Sequence, residues 1–158
     1  MSEYQPESVS PHGGVSGESY PAPPQLHWAL VLLFTILTVG FFLIVWMFIQ
    51  SRWARKIDPG SNATAQFIVY FVVFLFSHML EAAGENLRAV GVLLLLVSYV
   101  IFYFGTYSIR RSMLDHYNHA EPMQLRLSAA MTFFFSTFYL QYHMTRIARW
   151  KAASKLAI

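Results

Sequence analysis

The chain has 158 residues, of which 56% are hydrophobic and only 12% charged, about half the charged fraction of a soluble domain. This composition excludes a disordered chain and a soluble globular domain. A net charge of +3 argues against nucleic-acid binding, and the absence of cysteine excludes disulfides and thiolate chemistry. It predicts an all-α integral membrane protein with three or four membrane-embedded helices in one small bundle.

Residues 1–25 are rich in proline and contain three glutamates but no lysine or arginine. Such a segment buries too little apolar surface to offset the entropy of ordering it, so we predict a disordered, acidic tail. The membrane helical domain then covers residues 26–150, and a short basic tail covers residues 151–158.

Four apolar segments lie within the membrane domain, at about 29–49, 64–80, 89–109 and 127–145. The first and third each hold 21 residues without a charge, enough for a helix of about 31 Å that spans a hydrocarbon core. Pro59-Gly60 marks a turn before the second segment, and a short polar link around Gly84 follows it. The fourth segment contains serine, threonine, glutamine and histidine, which makes it only marginally apolar.

Basic residues cluster at 52–56, at 110–111 with 126, and at 146–155, and the positive-inside rule places all three clusters in the cytoplasm. The link at 81–88 then faces outward. A fourth segment that crossed the membrane once would carry its basic end outward, so we expect it to lie in the interface or to dip in and return. The first segment either spans, which puts residues 1–25 outside, or is re-entrant, which keeps them in the cytoplasm.

An offset of 94 residues relates the first and fourth segments. It aligns Thr38 with Thr132, Phe41 with Phe135, Arg52 with Arg146, Ala54 with Ala148, and Arg55 with Arg149. Both segments thus end in Arg-x-Ala-Arg after an aromatic apolar run, and we treat them as alike.

The first segment reads LLFTILTVGFF over residues 32–42 and is followed by Trp46 and Arg52. This Thr-x-Gly-aromatic run resembles small bacterial membrane proteins assigned to a domain of unknown function. The resemblance covers residues 29–58, with an echo at 127–150 in which Phe134 stands where the first copy has Gly40. It implies a bundle of a few helices in a bacterial cytoplasmic (inner) membrane, and it supplies no catalytic residue.

His78, Glu81 and Glu85 fall at i, i+3 and i+7, which is one helical face if the second segment continues that far. Ionisable groups within a membrane are functional hypotheses by default, and one histidine with two carboxylates suits an ion or proton relay. The competing interpretation is a polar rim at the end of a helical hairpin, where Arg88 pairs with Glu85.

Asp115, His116 and His119 offer a carboxylate and two imidazoles at metal-binding spacing. A zinc site would need a further ligand from Glu121, His143 or another subunit. The competing interpretation is a solvent-facing loop near the lipid headgroups.

Basic side chains flank the third and fourth segments and suit anionic lipid headgroups, although the same residues suit simple topology anchoring. They are Arg110, Arg111, Arg126, Arg146, Arg149 and Lys151.

Motifs for nucleotide binding, hydrolysis or zinc-dependent proteolysis do not occur in the sequence, so we predict no catalytic residue, no enzymatic activity and no cofactor. The leading hypothesis is a non-enzymatic accessory or scaffold subunit that packs against other membrane proteins or itself in the lipid bilayer. The alternative is a small oligomeric transporter or channel that uses His78, Glu81 and Glu85.

Overall fold

The computed structural model describes residues 21–121 and 123–156, and the fold in that part of the chain is entirely helical. The helices are α1 (Trp28–Leu37), α2 (Phe41–Ile57), α3 (Ala63–Ala82), α4 (Glu85–Asp115) and α5 (Ala129–Leu156), and a π-helical turn (His116–Ala120) extends α4. The predicted all-α class is confirmed.

An antiparallel pair formed by α3 and α4 positions the other elements. Gly84, at φ +131°, makes the tight turn between the two helices. A Cβ atom on Gly91 would lie 2.7 Å from Cγ of Glu81, and one on Gly105 would lie 2.8 Å from the ring of Phe67. Both glycines therefore allow the two helix backbones to approach closely.

Two helices in the described residues are long and apolar enough to cross a membrane: α3 and the continuous stretch Glu85–Ala120. Only 17% and 11% of their most apolar windows are buried in the protein. A core helix of a soluble protein would be mostly buried, so the outward apolar faces are consistent with membrane association.

The first apolar segment forms two helices, because the chain reverses at residues 38–40. Gly40 has φ +91°, which glycine adopts without steric cost, and Val39 before it has φ +52°. The backbone carbonyl of Leu26 and the side chain of Gln50 both bond to the amide of Gln141. A straight helix would separate residues 26 and 50 by about 36 Å. We call the returning pair α1–α2 hairpin 1, and its shape matches the re-entrant alternative.

The fourth apolar segment also reverses. Ser136, at φ +34° and ψ −114°, interrupts α5 and divides it into arms 129–135 and 137–156. The backbone N–H of Ser128 donates to the hydroxyl of Tyr139 at 3.0 Å. In a straight helix those residues would be about 17 Å apart along the axis, beyond the reach of a tyrosine side chain. We call the two arms hairpin 2.

Contacts with α4 trace the path of hairpin 2. The guanidinium of Arg110 donates to the carbonyl of Leu127, Tyr107 donates to the carbonyl of Ala129, and Tyr103 stacks on Phe133. The first arm therefore runs antiparallel to α4. The second arm returns, since Lys151 lies 2.7 Å from the carboxylate of Glu121, just beyond the π-helical turn.

The ends of both hairpins meet the C-terminal end of α4 at one end of the bundle. The ring of Trp53 stacks on Tyr117, and Ser112 donates to Asp58 at 2.7 Å. We call this the basic end, because it holds Arg52, Arg55, Lys56, Arg110, Arg111, Arg126, Arg146, Arg149 and Lys151. A buried hydrophobic cluster lies in the same half, and includes Met47, Phe67, Ile109, Met113, Tyr117, Leu140, Met144 and Ile147.

Three predicted boundaries differ from the structure. Pro21 and Pro24 accept hydrogen bonds from Trp53 and Gln141, so ordered packing begins before residue 25, whereas residues 1–20 of the predicted tail lie outside the described residues. The third segment, predicted to end near residue 109, is longer, because α4 continues through the polar stretch to Asp115. The predicted tail at 151–158 is helical as far as Leu156, because α5 continues.

Candidate functional site

The two hairpins meet at one buried amide, that of Gln141, whose side chain is fully buried. Its oxygen accepts from the indole N–H of Trp46 and from Gln50, both at 3.0 Å. Its nitrogen donates to the carbonyls of Pro24 at 3.0 Å and Leu26 at 2.6 Å. An amide offers two donors and two acceptor positions, so all of them are used.

A second layer of hydrogen bonds supports that junction. Gln50 also donates to the carbonyl of Thr137, directly after the break at Ser136, and Thr145 donates to the carbonyl of Leu26. We call the whole set around Gln141 the hairpin clamp. Sequence reasoning did not single it out, and the available signal was a glutamine in the softest of the four apolar segments.

An apolar groove opens beside the clamp, between α1 and hairpin 2, with a volume of about 540 Å³. Its walls are Trp28, Leu32, Phe134, Phe135, Phe138, Tyr139 and Tyr142. The guanidinium of Arg146 lies 5.9 Å from the ring centre of Tyr142, which places a positive charge beside aromatic walls. Ligand sites of about 300–1,000 Å³ are typical, so the groove is large enough for an apolar chain.

A polar cavity of about 570 Å³ lies at the basic end, between the α2–α3 link and α4. Asp58 on its wall already accepts from Ser112 and from the backbone N–H of Gly60. Arg111 and Asp115 on the opposite wall pair at 3.7 Å and are both largely exposed. An ion pair so exposed contributes little to stability.

The tips of both hairpins are bare apolar side chains. Val39 is 95% exposed and Phe134 is 76% exposed, the largest values among the exposed large hydrophobic residues described. Water would penalise both, at about 25 cal/mol for each Å² of apolar surface.

The structure brings together two members of the predicted relay set. Nδ1 of His78 lies 3.4 Å from Oε2 of Glu81, and the other oxygen of Glu81 is buried near Gly91 without a hydrogen-bond partner among the described residues. Glu85 does not continue their face, because α3 ends at Ala82 and the Gly84 turn intervenes.

The predicted metal set is divided. His116 is buried and its Nε2 lies 3.6 Å from Glu121, whereas Nδ1 of exposed His119 lies 3.0 Å from the backbone carbonyl of Asp115. Within residues 21–121 and 123–156, no three histidine or acidic side chains gather closely enough to hold a metal ion.

The predicted headgroup residues all lie at the basic end but differ in exposure. Arg111, Arg126, Arg146 and Arg149 are exposed, and their charges are available to anionic groups. Arg110 and Lys151 are instead partly buried and hold the chain at Leu127 and Glu121.

No family model, curated protein or solved structure matches this chain. The resemblance of residues 29–58 to small bacterial membrane proteins therefore stays a prediction. Of the features described, the hairpin clamp can fix the two hairpins to each other, the groove can take an apolar chain, and the exposed arginines can attract anions.

Proposed function

We propose that the protein is a non-enzymatic accessory or scaffold subunit of a membrane, with α3 and α4 as spanning helices and the two hairpins embedded beside them. The observation that carries this proposal is the exposure of the hairpin tips, where Val39 and Phe134 present bare apolar side chains. Hydrocarbon removes the penalty that water would impose on them.

The use of the buried polar groups supports a structural role. The amide of Gln141 is fully engaged, and Trp46 and Gln50 are held to it, so these groups join helices rather than await a substrate. Within a bilayer, hydrogen bonds of this kind tie helices that have no hydrophobic reason to associate.

The charge distribution supports one orientation. Among the described side chains, Arg88 is the one basic residue near the α3–α4 turn, and the others lie at the basic end. The positive-inside rule then places the basic end, with both ends of each hairpin, in the cytoplasm of a bacterial inner membrane.

Two measurements test this proposal. Carbonate-washed membranes should retain the protein, and extraction in mild detergent should yield a stoichiometric complex with other membrane proteins or with further copies, sized on a native gel and identified by mass spectrometry. Protein stripped by carbonate refutes the membrane placement, and a detergent-solubilised monomer without partners refutes the accessory role.

A small transporter or channel is the second candidate, favoured by the unpartnered carboxylate oxygen of Glu81 beside His78. In that case His78→Ala or Glu81→Gln abolishes ion flux into liposomes, whereas Glu85→Gln, which lies off that face, leaves the flux intact. Flux absent from the parent protein, or unchanged in both variants, contradicts this second candidate.

A further inference from the structure

Both hairpins stop near the middle of α4. The tip of hairpin 1, at residues 39–41, shares a cavity wall with Tyr99 and Phe102. In hairpin 2, Phe133 stacks on Tyr103 at 4.8 Å, three residues before the break at Ser136. Because α4 runs from residue 85 to residue 115, both tips lie about halfway along it.

The bundle is therefore much thicker in its basic half. That half holds α1, α2 and both arms of α5 in addition to α3 and α4, whereas the described chain places only α3 and α4 in the opposite half. A helix with its side chains is about 10–12 Å across, so the four extra helical segments add roughly 300–450 Å² of cross-section on one side.

The uncharged part of each hairpin arm is about one leaflet deep, since the arms of α2 and α5 that return from the tips reach a charge at Arg52 and Arg146. The ten residues of α1 rise about 15 Å, which is half of a hydrocarbon core of about 30 Å. The twenty residues of α3 rise about 30 Å and cross both leaflets. Inserted in this way, the protein displaces lipid mainly from the leaflet at its basic end.

We propose that the protein is a sensor and stabiliser of membrane curvature, whose partner is a lipid surface that is convex on the side of the basic end; this inference rests on the membrane insertion proposed above. Extra area in one leaflet is accommodated at the least cost when that leaflet is on the outside of a bend. Shallow apolar insertions respond to curvature for the same reason.

The thicker basic half of the bundle acts as a wedge in one leaflet, and the charge at the returning ends of the hairpins complements it. Arg52 and Arg55 lie on the last turns of α2, and Arg146 and Arg149 lie at the related positions of the second arm of α5. All four are exposed, so they lie where anionic headgroups of the wedged leaflet would be. The wedge and its charges thus act on the same leaflet.

The test uses the whole chain and exploits its lack of cysteine. Two single-cysteine variants are reconstituted into vesicles of graded diameter that contain anionic phospholipid: Ala120→Cys at the basic end and Ala83→Cys at the α3–α4 turn, both exposed. A membrane-impermeant dye added outside marks, in each variant, only molecules with that end on the outer surface. Dye density per membrane area is then measured against vesicle diameter.

The expected result has opposite signs in the two variants. Molecules dyed at residue 120 should be enriched about twofold or more in the smallest vesicles, and molecules dyed at residue 83 should be depleted there. Densities that do not depend on diameter, or that change in the same direction for both variants, overturn the proposal. Failure of the protein to float with the vesicles refutes membrane insertion itself, and flotation therefore distinguishes failure of the proposed function from failure of the curvature proposal.

Discussion

Replacement of Gln141 by leucine tests whether the hairpin clamp holds the fold together. The substitution keeps a side chain of similar size but removes both donors and both acceptors of the amide. Trp46 and the carbonyl of Pro24 lose the hydrogen bonds described for them, whereas Gln50 keeps Thr137 and Leu26 keeps Thr145.

The loss in the free energy of unfolding can be bounded from the hydrogen bonds removed and from the polar groups left without partners. Four hydrogen bonds between membrane helices at an average of about 0.6 kcal/mol each give about 2.4 kcal/mol. Two buried polar groups left without partners at about 1–3 kcal/mol each give about 2–6 kcal/mol. We therefore expect Gln141→Leu to lower the free energy of unfolding by about 2–4 kcal/mol.

The assay is unfolding in mixed micelles with a rising fraction of SDS, followed by tryptophan fluorescence. Gln66→Leu is the matched control, because Oε1 of Gln66 is buried in α3 and accepts no hydrogen bond from the described residues. Because that control removes a buried acceptor that has no partner, it should not lower the free energy of unfolding. If Gln141→Leu and Gln66→Leu unfold at the same fraction of SDS, the hairpin clamp does not hold the fold together.

Three further predictions follow from the geometry. Gly40→Ala should lower the free energy of unfolding by about 1–2 kcal/mol, because Gly40 has φ +91° with free space around it. Gly60→Ala, the control, should cost less. Equal losses for the two variants in the micelle titration would count against a strained turn at Gly40. Gly91→Ala should lower the free energy of unfolding by about 1–3 kcal/mol in the same titration, because its Cβ would lie 2.8 Å from the carbonyl of Ser77. Leu93→Ala, at an exposed position, is the near-neutral control. An unchanged stability of Gly91→Ala would contradict the close packing of α3 on α4. In intact cells, an impermeant thiol reagent should label Ala83→Cys and spare Ala120→Cys, and the reverse pattern, or labelling of both, would contradict the proposed orientation.

Local sequence patterns predict much of the fold. Long uncharged runs predict α3 and α4, and the glycine at residue 84 marks their turn, because these features depend on neighbours in the chain. The pairing of His78 with Glu81 is likewise local, at i and i+3. The position of Glu85 depended on whether the helix continued, and the turn at Gly84 ends it.

The second reversal could not be predicted in the same way. Ser136 carries no turn signal, and the break there is accompanied by contacts with distant residues: Phe133 with Tyr103, and the carbonyl of Thr137 with Gln50. The charge pattern favours a fourth segment that does not cross the membrane simply, which stays a prediction, but it does not indicate where the segment turns. The hairpin clamp was missed for the same reason, since the partners of Gln141 lie 91 to 117 residues away from it along the chain.

The distance along the chain between those members has a consequence for biosynthesis. Gln141 is made 95 residues after Trp46 and 91 residues after Gln50. Since translation adds about 5–20 residues per second, roughly 5–20 s pass between the synthesis of hairpin 1 and that of the amide that its polar groups bond to. During that interval the indole of Trp46 and the amide of Gln50 lack their hydrogen bonds to Gln141. A message truncated before the codon of Gln141 therefore yields a product in which Trp46 and Gln50 lack their partner amide.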